Sequence, residues 1–438
     1  MELLIYSPKT SSRLDYMFAI FFKQIVQLPY QVTNDPQFFK SYLGPCINYS
    51  LEERINDHEI WIPPHTFLFE QDIRPQPLSV KDYEGMPIFF QNNHSKASCP
   101  FDLFAAGFYL LSLYENYLPG PRDVHGRFTA KQSLAYQHGF LQRPLVDEYG
   151  LYLVQQLIKK HPELAFKAPS YAYTPTYDID VSWAYGHRPL YRQLGSILRD
   201  FWKLDLANLS RRIAVQTKQQ ADPFYTFPYL DQLHEQYDLK PIYFFLLADY
   251  HGLDRNIHPA HPEQQELIRS IANKYKSGIH PGILSNQQEN QFSKELKRYQ
   301  DLTTQVAKHS RQHYLVLQFP QTYQRLLKNG IQHDYTLGYA DAVGFRASIA
   351  RPFPWYDLQK ESISNLMIHP FACMDGALKR STENQKDKIY QQVVTLISAT
   401  KAVNGHFYTL WHNSSFSTLE NWKNWKPIYE YIIEQALP

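Results

Sequence analysis

Cysteine is nearly missing from this chain, with three residues in 438. Cys46, Cys99 and Cys373 are an odd, widely scattered set without metal-ligand or redox spacing, which excludes a disulfide framework or a zinc ribbon and predicts a reducing compartment. Long apolar runs are missing too: no stretch reaches the roughly 18 uninterrupted apolar residues of a membrane span. The N-terminus, Met1 to Pro8, has no basic region and breaks at the proline, unlike an export leader. These absences together predict a soluble, cytoplasmic protein. An excess of charge is also lacking. With 44 basic against 42 acidic residues and no long like-charge run, the sequence gives no reason to expect a nucleic acid or an anionic membrane as partner, and a neutral substrate fits better. No internal repeat or low-complexity tract is present.

Length and rings are what the chain has in plenty. At 438 residues it exceeds the usual size of one hydrophobic core, which predicts two domains with a boundary in the first half. Tyr and Phe number 33 and 27, enough to supply stacking platforms for sugar faces as well as a core. Residues 1–165 read as a mixed α+β module. It has short strands at Glu2 to Tyr6 and Glu59 to Ile62, a helix beginning near Pro100, turn chemistry from Pro119 to Arg127 and a helix near Leu151 to Lys160. Pro162, Pro169 and Pro175 mark a linker.

From residue 170 to 438, short apolar strands alternate with helical stretches, the pattern of a parallel sheet or barrel. Ile242 to Leu247 is one continuous apolar run, and the helix Gln264 to Tyr275 presents Leu267, Ile268 and Ile271 on one face. Ile279 opens a strand, and a helix near Asp387 to Ala402 leads into a strand from Phe407 to Trp411. Ser417 and Glu420 have the spacing of a capping box for the last helix.

Five constellations carry chemistry. In Thr176-Tyr177-Asp178-Ile179-Asp180 two carboxylates stand two residues apart, so strand alternation turns both into one pocket, where one acid can bind metal while the other takes a proton. Gly278-Ile279-His280-Pro281 places a histidine at a strand end, where it can ligate metal. Arg311, in Ser310 to Leu315, and Arg346, in Gly344 to Ser348, each offer a guanidinium to hold a catalytic carboxylate ionised. Phe407 to Asn413 delivers His412 to a strand end, a place for a general acid.

In this order the five resemble the motifs of the polysaccharide deacetylases, the NodB-homology or carbohydrate esterase family 4. The resemblance covers about residues 170 to 438 and implies a distorted (β/α) barrel, hence an α/β fold, preceded by the smaller module. It implies Asp178 as base, Asp180 and His280 as metal ligands, Arg311 as the motif arginine with Tyr314 beside it, and Leu410 with His412 as the final motif carrying the acid. Arg346, Trp411 and Tyr314 are the expected substrate contacts. The upstream passages Cys99 to Tyr117, Asp123 to Phe128 and Pro144 to Asp147 resemble the accessory domain joined to deacetylase-like barrels in Bacteroidetes-type bacteria.

One feature departs from the family. Its histidine motif carries a second histidine four residues on, where this chain has Leu284. A catalytic zinc usually has three protein ligands and a water, so a third ligand is required; His313 is the candidate, ahead of His258, His261 and Asn286. The implied activity is hydrolysis of an N-acetyl amide on an amino sugar or glycan, assisted by a divalent metal, with zinc first in expectation. A metal-free hydrolase of cyclic amides and a silent glycan-binding module are the alternatives.

Overall fold

The computed structural model describes residues 2–167 and 169–438, the side chain of Leu190 excepted. Four short parallel strands form the first sheet: β1 (Leu3–Tyr6), β2 (Tyr30–Thr33), β3 (Cys46–Asn48) and β4 (Glu59–Trp61), in the order β2-β1-β3-β4. The helix Leu103–Leu111 is apolar all round and is buried along its whole length, with Asp102 accepting from the amides of Phe104 and Ala105 at its start. A hairpin of β5 (Lys81–Tyr83) and β6 (Met86–Ile88) lies beside the helix Leu145–Lys160, which starts six residues earlier than predicted.

Residues 1–165 share a continuous hydrophobic core with the rest of the chain. Buried ion pairs join the two parts: Arg13 meets Glu361 at 2.6 Å, and Arg351 pairs with Asp147. Tyr16 donates to the carbonyl of Pro354 at 2.9 Å.

The second sheet has nine strands: β7 (Ala172–Ile179), β8 (Ile242–Phe245), β9 (Lys276–Ile279), β10 (His309–Ser310), β11 (His333–Asp334), β12 (Phe353–Asp357), β13 (Ser362–Ile368), β14 (Cys373–Met374) and β15 (His406–His412). They run in the order β12-β13-β11-β10-β9-β8-β7-β15-β14, all parallel except the β12–β13 pair. Helices fill most connections, as alternation of short apolar strands with helical stretches requires.

The sheet is curled. Tyr335, just after β11, and Tyr408 of β15 lie five places apart in strand order, yet their ring centroids are 5.9 Å apart. A flat sheet spacing strands at about 4.8 Å would hold them more than 20 Å apart. Among the described residues no ladder joins the edge strands β12 and β14, so the fold is α/β with an open, mostly parallel sheet rather than a hydrogen-bonded closed barrel.

Three local expectations are corrected. Pro175 belongs to β7, not to a linker; pairing with β8 starts only at Thr176, so no partner is deprived of a proline N–H on that side. Ile279 ends β9 rather than opening it. The last helix begins at Trp425, so Ser417 does not cap it. Among the described residues no helix is long and apolar enough to cross a membrane.

Candidate active site

Alternation along β7 decides which side chains reach the crevice. Tyr177 and Ile179 turn away, Tyr177 being buried and hydrogen-bonded to His234 and Tyr429, while Thr176, Asp178 and Asp180 share the other face. The β7–β15 register sets His412 beside Asp178. The ends of β9 and β10 deliver His280, Arg311 and His313 to the same place.

Arg311 is fully buried and uses its whole fork. Nη1 donates to Asp178 Oδ1 at 2.9 Å, Nη2 to Thr176 Oγ1 at 2.7 Å and Nε to the Tyr335 carbonyl at 2.9 Å, while the guanidinium lies 4.6 Å from the Phe244 ring centre. Asp178 is thereby fixed in one orientation by a planar fork that spans three acceptors.

Asp180, His280 and His313 bring one ligand atom each to within 4.8 Å of one another. His280 Nε2 lies 3.2 Å from Asp180 Oδ1, and His313 Nε2 lies 3.8 Å from Asp180 Oδ2. Both imidazoles are tethered through the other nitrogen: His280 Nδ1 donates to the Arg311 carbonyl at 2.5 Å and His313 Nδ1 to Asp254 Oδ1 at 2.7 Å. That arrangement turns the Nε2 atoms of both rings toward Asp180, whose Oδ1 is buried with no hydrogen-bond partner. One carboxylate and two oriented imidazoles suit a divalent ion such as zinc, with a position left for water. His313, and not Leu284, is the third member of this group; Leu284 does not line the cavity.

Opposite this trio, His412 Nδ1 sits 3.0 Å from both oxygens of Asp375, and its Nε2 is 3.8 Å from Asp180 Oδ2. Asp375 is fully buried; it also accepts from the His412 amide at 2.9 Å and from the Ser415 hydroxyl. Burial alone would lower the pKa of His412, but Asp375, then Asp180 and Asp178, raise it to about 10. Burial likewise opposes the charge of His313, and Asp180 with Asp254 lift it to about 9. For Asp180 the desolvation that would raise its pKa is outweighed by His313, His280 and His412, which hold it well below the ordinary value. Four carboxylates, Asp178, Asp180, Asp254 and Asp375, gather around Arg311, His280, His313 and His412, and the guanidinium-bearing side chains of Arg127 and Arg380 line the same cavity.

The cavity around these groups has a volume of about 280 Å³ and is also lined by Tyr314, Met374 and Leu410. Part of its wall comes from the first 165 residues. Arg127 is ion-paired to Asp123 at 2.7 Å and donates to the Tyr314 carbonyl at 2.8 Å, while the His125 ring lies 4.8 Å from that of Tyr314. Gly282 is required nearby: a Cβ there would stand 2.8 Å from Asp254 Oδ2 and 2.6 Å from Ala248 Cβ.

Of the expected substrate contacts, Tyr314 lines the cavity and the other two do not. Trp411 points to the opposite face of β15 from Leu410 and His412 and is buried against Phe416, Trp425 and Tyr429. Arg346 is buried elsewhere, donating to the Gly338 carbonyl and to Asn116. His258 and His261 lie outside the cavity, and Asn286 is buried, donating to the Val316 carbonyl and accepting from Thr322. Most of the rings are core: Tyr314 is the one Tyr, Phe or Trp lining this cavity. Asp254, Asp375, His125 and Arg127 were not singled out from sequence. Only Asp375 had a usable signal, as an acid directly after a short strand.

Residues 3–162 match a family of unknown function (DUF7033), about a third of the chain. Among curated proteins no relative matches this sequence. Two solved structures are similar at low identity. One is a "putative polysaccharide deacetylase" from Mycobacterium smegmatis, 15% identical with a TM-score of 0.38, covering 62% of this chain and 87% of that one. The other is a 4-alpha-glucanotransferase from Thermococcus litoralis, 13% identical with a TM-score of 0.35, covering 62% of this chain and 37% of that one. At these TM-scores neither likeness carries an argument, and the functional reading stands on the geometry of the site.

Proposed function

We propose that this chain is a metal-dependent hydrolase that removes N-acetyl groups from an amino sugar or glycan, on a curled sheet that amounts to a distorted (β/α) barrel of the polysaccharide deacetylase type. Residues 1–165 form its accessory domain, a span close to the matched 3–162, and residues 170–438 the catalytic one. The observation that carries the reading is the flanking of one potential metal trio, Asp180, His280 and His313, by two differently prepared proton-transfer groups.

Asp180, His280 and His313 would hold the ion, which when bound supplies Lewis-acid polarisation of the amide carbonyl and a more acidic water. Asp178, held in orientation by Arg311, takes the proton of the attacking water. His412, kept protonated by Asp375, gives a proton to the amine nitrogen as the C–N bond breaks, because an unprotonated amine is a poor leaving group. Tyr314 and the Arg127 that holds its carbonyl shape the entrance.

The differing partners of the two groups favour this over the alternatives. A silent glycan-binding module has no use for an arginine-locked carboxylate opposite an aspartate-locked imidazole, and a cavity with one large ring is a poor sugar platform. A metal-free hydrolase of cyclic amides has no use for two tethered imidazoles aimed at a bare carboxylate oxygen. The test is acetate release from N-acetylglucosamine oligomers, run beside ring opening of a cyclic imide. Acetate release that falls by roughly a hundred- to ten-thousandfold in Asp178→Asn supports the reading. Ring opening without acetate release would replace it with the cyclic amide reaction.

A further inference from the structure

The evenness of the total charge conceals a local separation. Between Asp180 and the helix Phe227–Gln236 the chain inserts a hairpin of two helices, Leu190–Trp202 and Leu206–Gln216. Residues 188–218 hold seven basic side chains against two acidic ones, a net of +5; since the chain carries +2 in all, the remainder is −3.

The hairpin is amphipathic the wrong way round for a helix pair on a protein core. Its inward side is polar. Asp200 is buried and accepts from Arg212 at 2.8 Å and from Asn208 at 2.9 Å; Asn208 in turn accepts from the Tyr185 hydroxyl, and the Arg212 guanidinium lies 4.8 Å from the Tyr185 ring centre. The outward side is apolar. Tyr191, Leu194, Leu198 and Trp202 follow one another at helical spacing with Phe201 alongside, and their exposure runs from 59% at Leu198 to 84% at Trp202. Leu204 and Leu206 extend the patch through the turn. At 100° per residue, Arg192, Arg199 and Lys203 form a row along one edge of this stripe. A stripe of Leu, Trp and Phe edged by cations whose stems can lie along apolar surface is the pattern of a helix lying in a lipid–water interface.

We propose that this hairpin docks the protein on an anionic bilayer surface, with the stripe buried among acyl chains and the Arg and Lys edge at the headgroups. The positive charge of the hairpin favours lipid of negative charge, while the net negative remainder stays in water. The catalytic end of the sheet is brought with it, because Asp180 is followed directly by Val181, which lines the groove between the hairpin and Tyr250.

The test is flotation with phosphatidylcholine vesicles, with and without phosphatidylglycerol, for the wild type, Leu198→Glu with Trp202→Glu, and Arg199→Glu with Lys203→Glu. All four positions are exposed, and circular dichroism verifies the fold. The expected result is wild-type binding that requires phosphatidylglycerol, weakens with salt and falls at least roughly tenfold in both variants. Binding that ignores the lipid charge, or that persists in the Leu198/Trp202 variant, overturns the proposal. So does a self-associated wild type that binds no vesicles and becomes monomeric in that variant, which would assign the face to a second copy of the chain.

Discussion

His412 and Asp375 are joined at two points: the imidazole Nδ1 lies 3.0 Å from each carboxylate oxygen, and the backbone amide of His412 donates to the same group at 2.9 Å. A buried acid that grips both the ring and the main chain of its partner sets tautomer and orientation together. With His412 as the proposed acid, Asp375→Asn is therefore expected to lower kcat by about a hundredfold or more with a small change in KM. Steady-state kinetics check it; an unchanged kcat would remove His412 from the role of acid.

His313 receives the corresponding support from Asp254, whose carboxylate also accepts from the amide of Ile283. Loss of such an outer partner typically weakens metal binding by about 10- to 100-fold. Asp254→Asn should do so in a competition titration against a chelator, while leaving the number of metal sites unchanged.

Arg311 has no exposure and three acceptors. Arg311→Met leaves the buried Asp178 carboxylate without its partner, a change that costs about 3–5 kcal/mol. Chemical denaturation should read a loss of that size. Arg311→Lys keeps the charge but cannot span Asp178, Thr176 and the Tyr335 carbonyl, so it should recover part of the stability and little of the turnover.

A separate histidine group lies in the interior of the curled sheet. Burial lowers the pKa of His309 to about 3, with His333, Lys276 and Lys308 adding to the effect, and lowers that of His406 to about 4. His369, buried among them and hydrogen-bonded to Tyr408 and His333, is lowered to about 2. Each of these rings takes its proton more readily in the unfolded chain, so its contribution is complete above about pH 6.5 and is lost as pH falls toward the folded pKa. Half-buried Glu115 and buried Glu295, both raised by desolvation to about 7, run in the opposite sense. The measurable quantity is thus a difference: between pH 6.5 and 5.5 the wild type should lose roughly 1 kcal/mol more stability than His369→Gln. Parallel curves would show that His369 does not titrate on unfolding.

The strand-end groups were legible in the sequence because a short strand leaves few choices. Acids at 178 and 180 must share a face, and a histidine after Gly278-Ile279 must end a strand. Parity misled at Trp411, where a shift of one residue exchanges crevice for core. Asp254 sits in a bridge turn with His251, and Asp375 follows a two-residue strand, so neither belongs to a periodic pattern. His125 and Arg127 reach the cavity from nearly 200 residues before Tyr314, a relation that no local spacing encodes. The hairpin at 190–216 was not singled out because its Leu, Phe and Trp positions have the period of a core helix; only the fold shows that they face outward.

Asp180, His280 and His313 are proposed to hold one metal ion. Elemental analysis of purified protein, wild type beside Asp180→Ala and His280→Ala at matched concentration, tests it most directly. About one equivalent of a divalent metal is expected in the wild type, and its loss in both variants. A folded wild type that takes up no zinc, cobalt or nickel after incubation, or variants that retain the full equivalent, would contradict it.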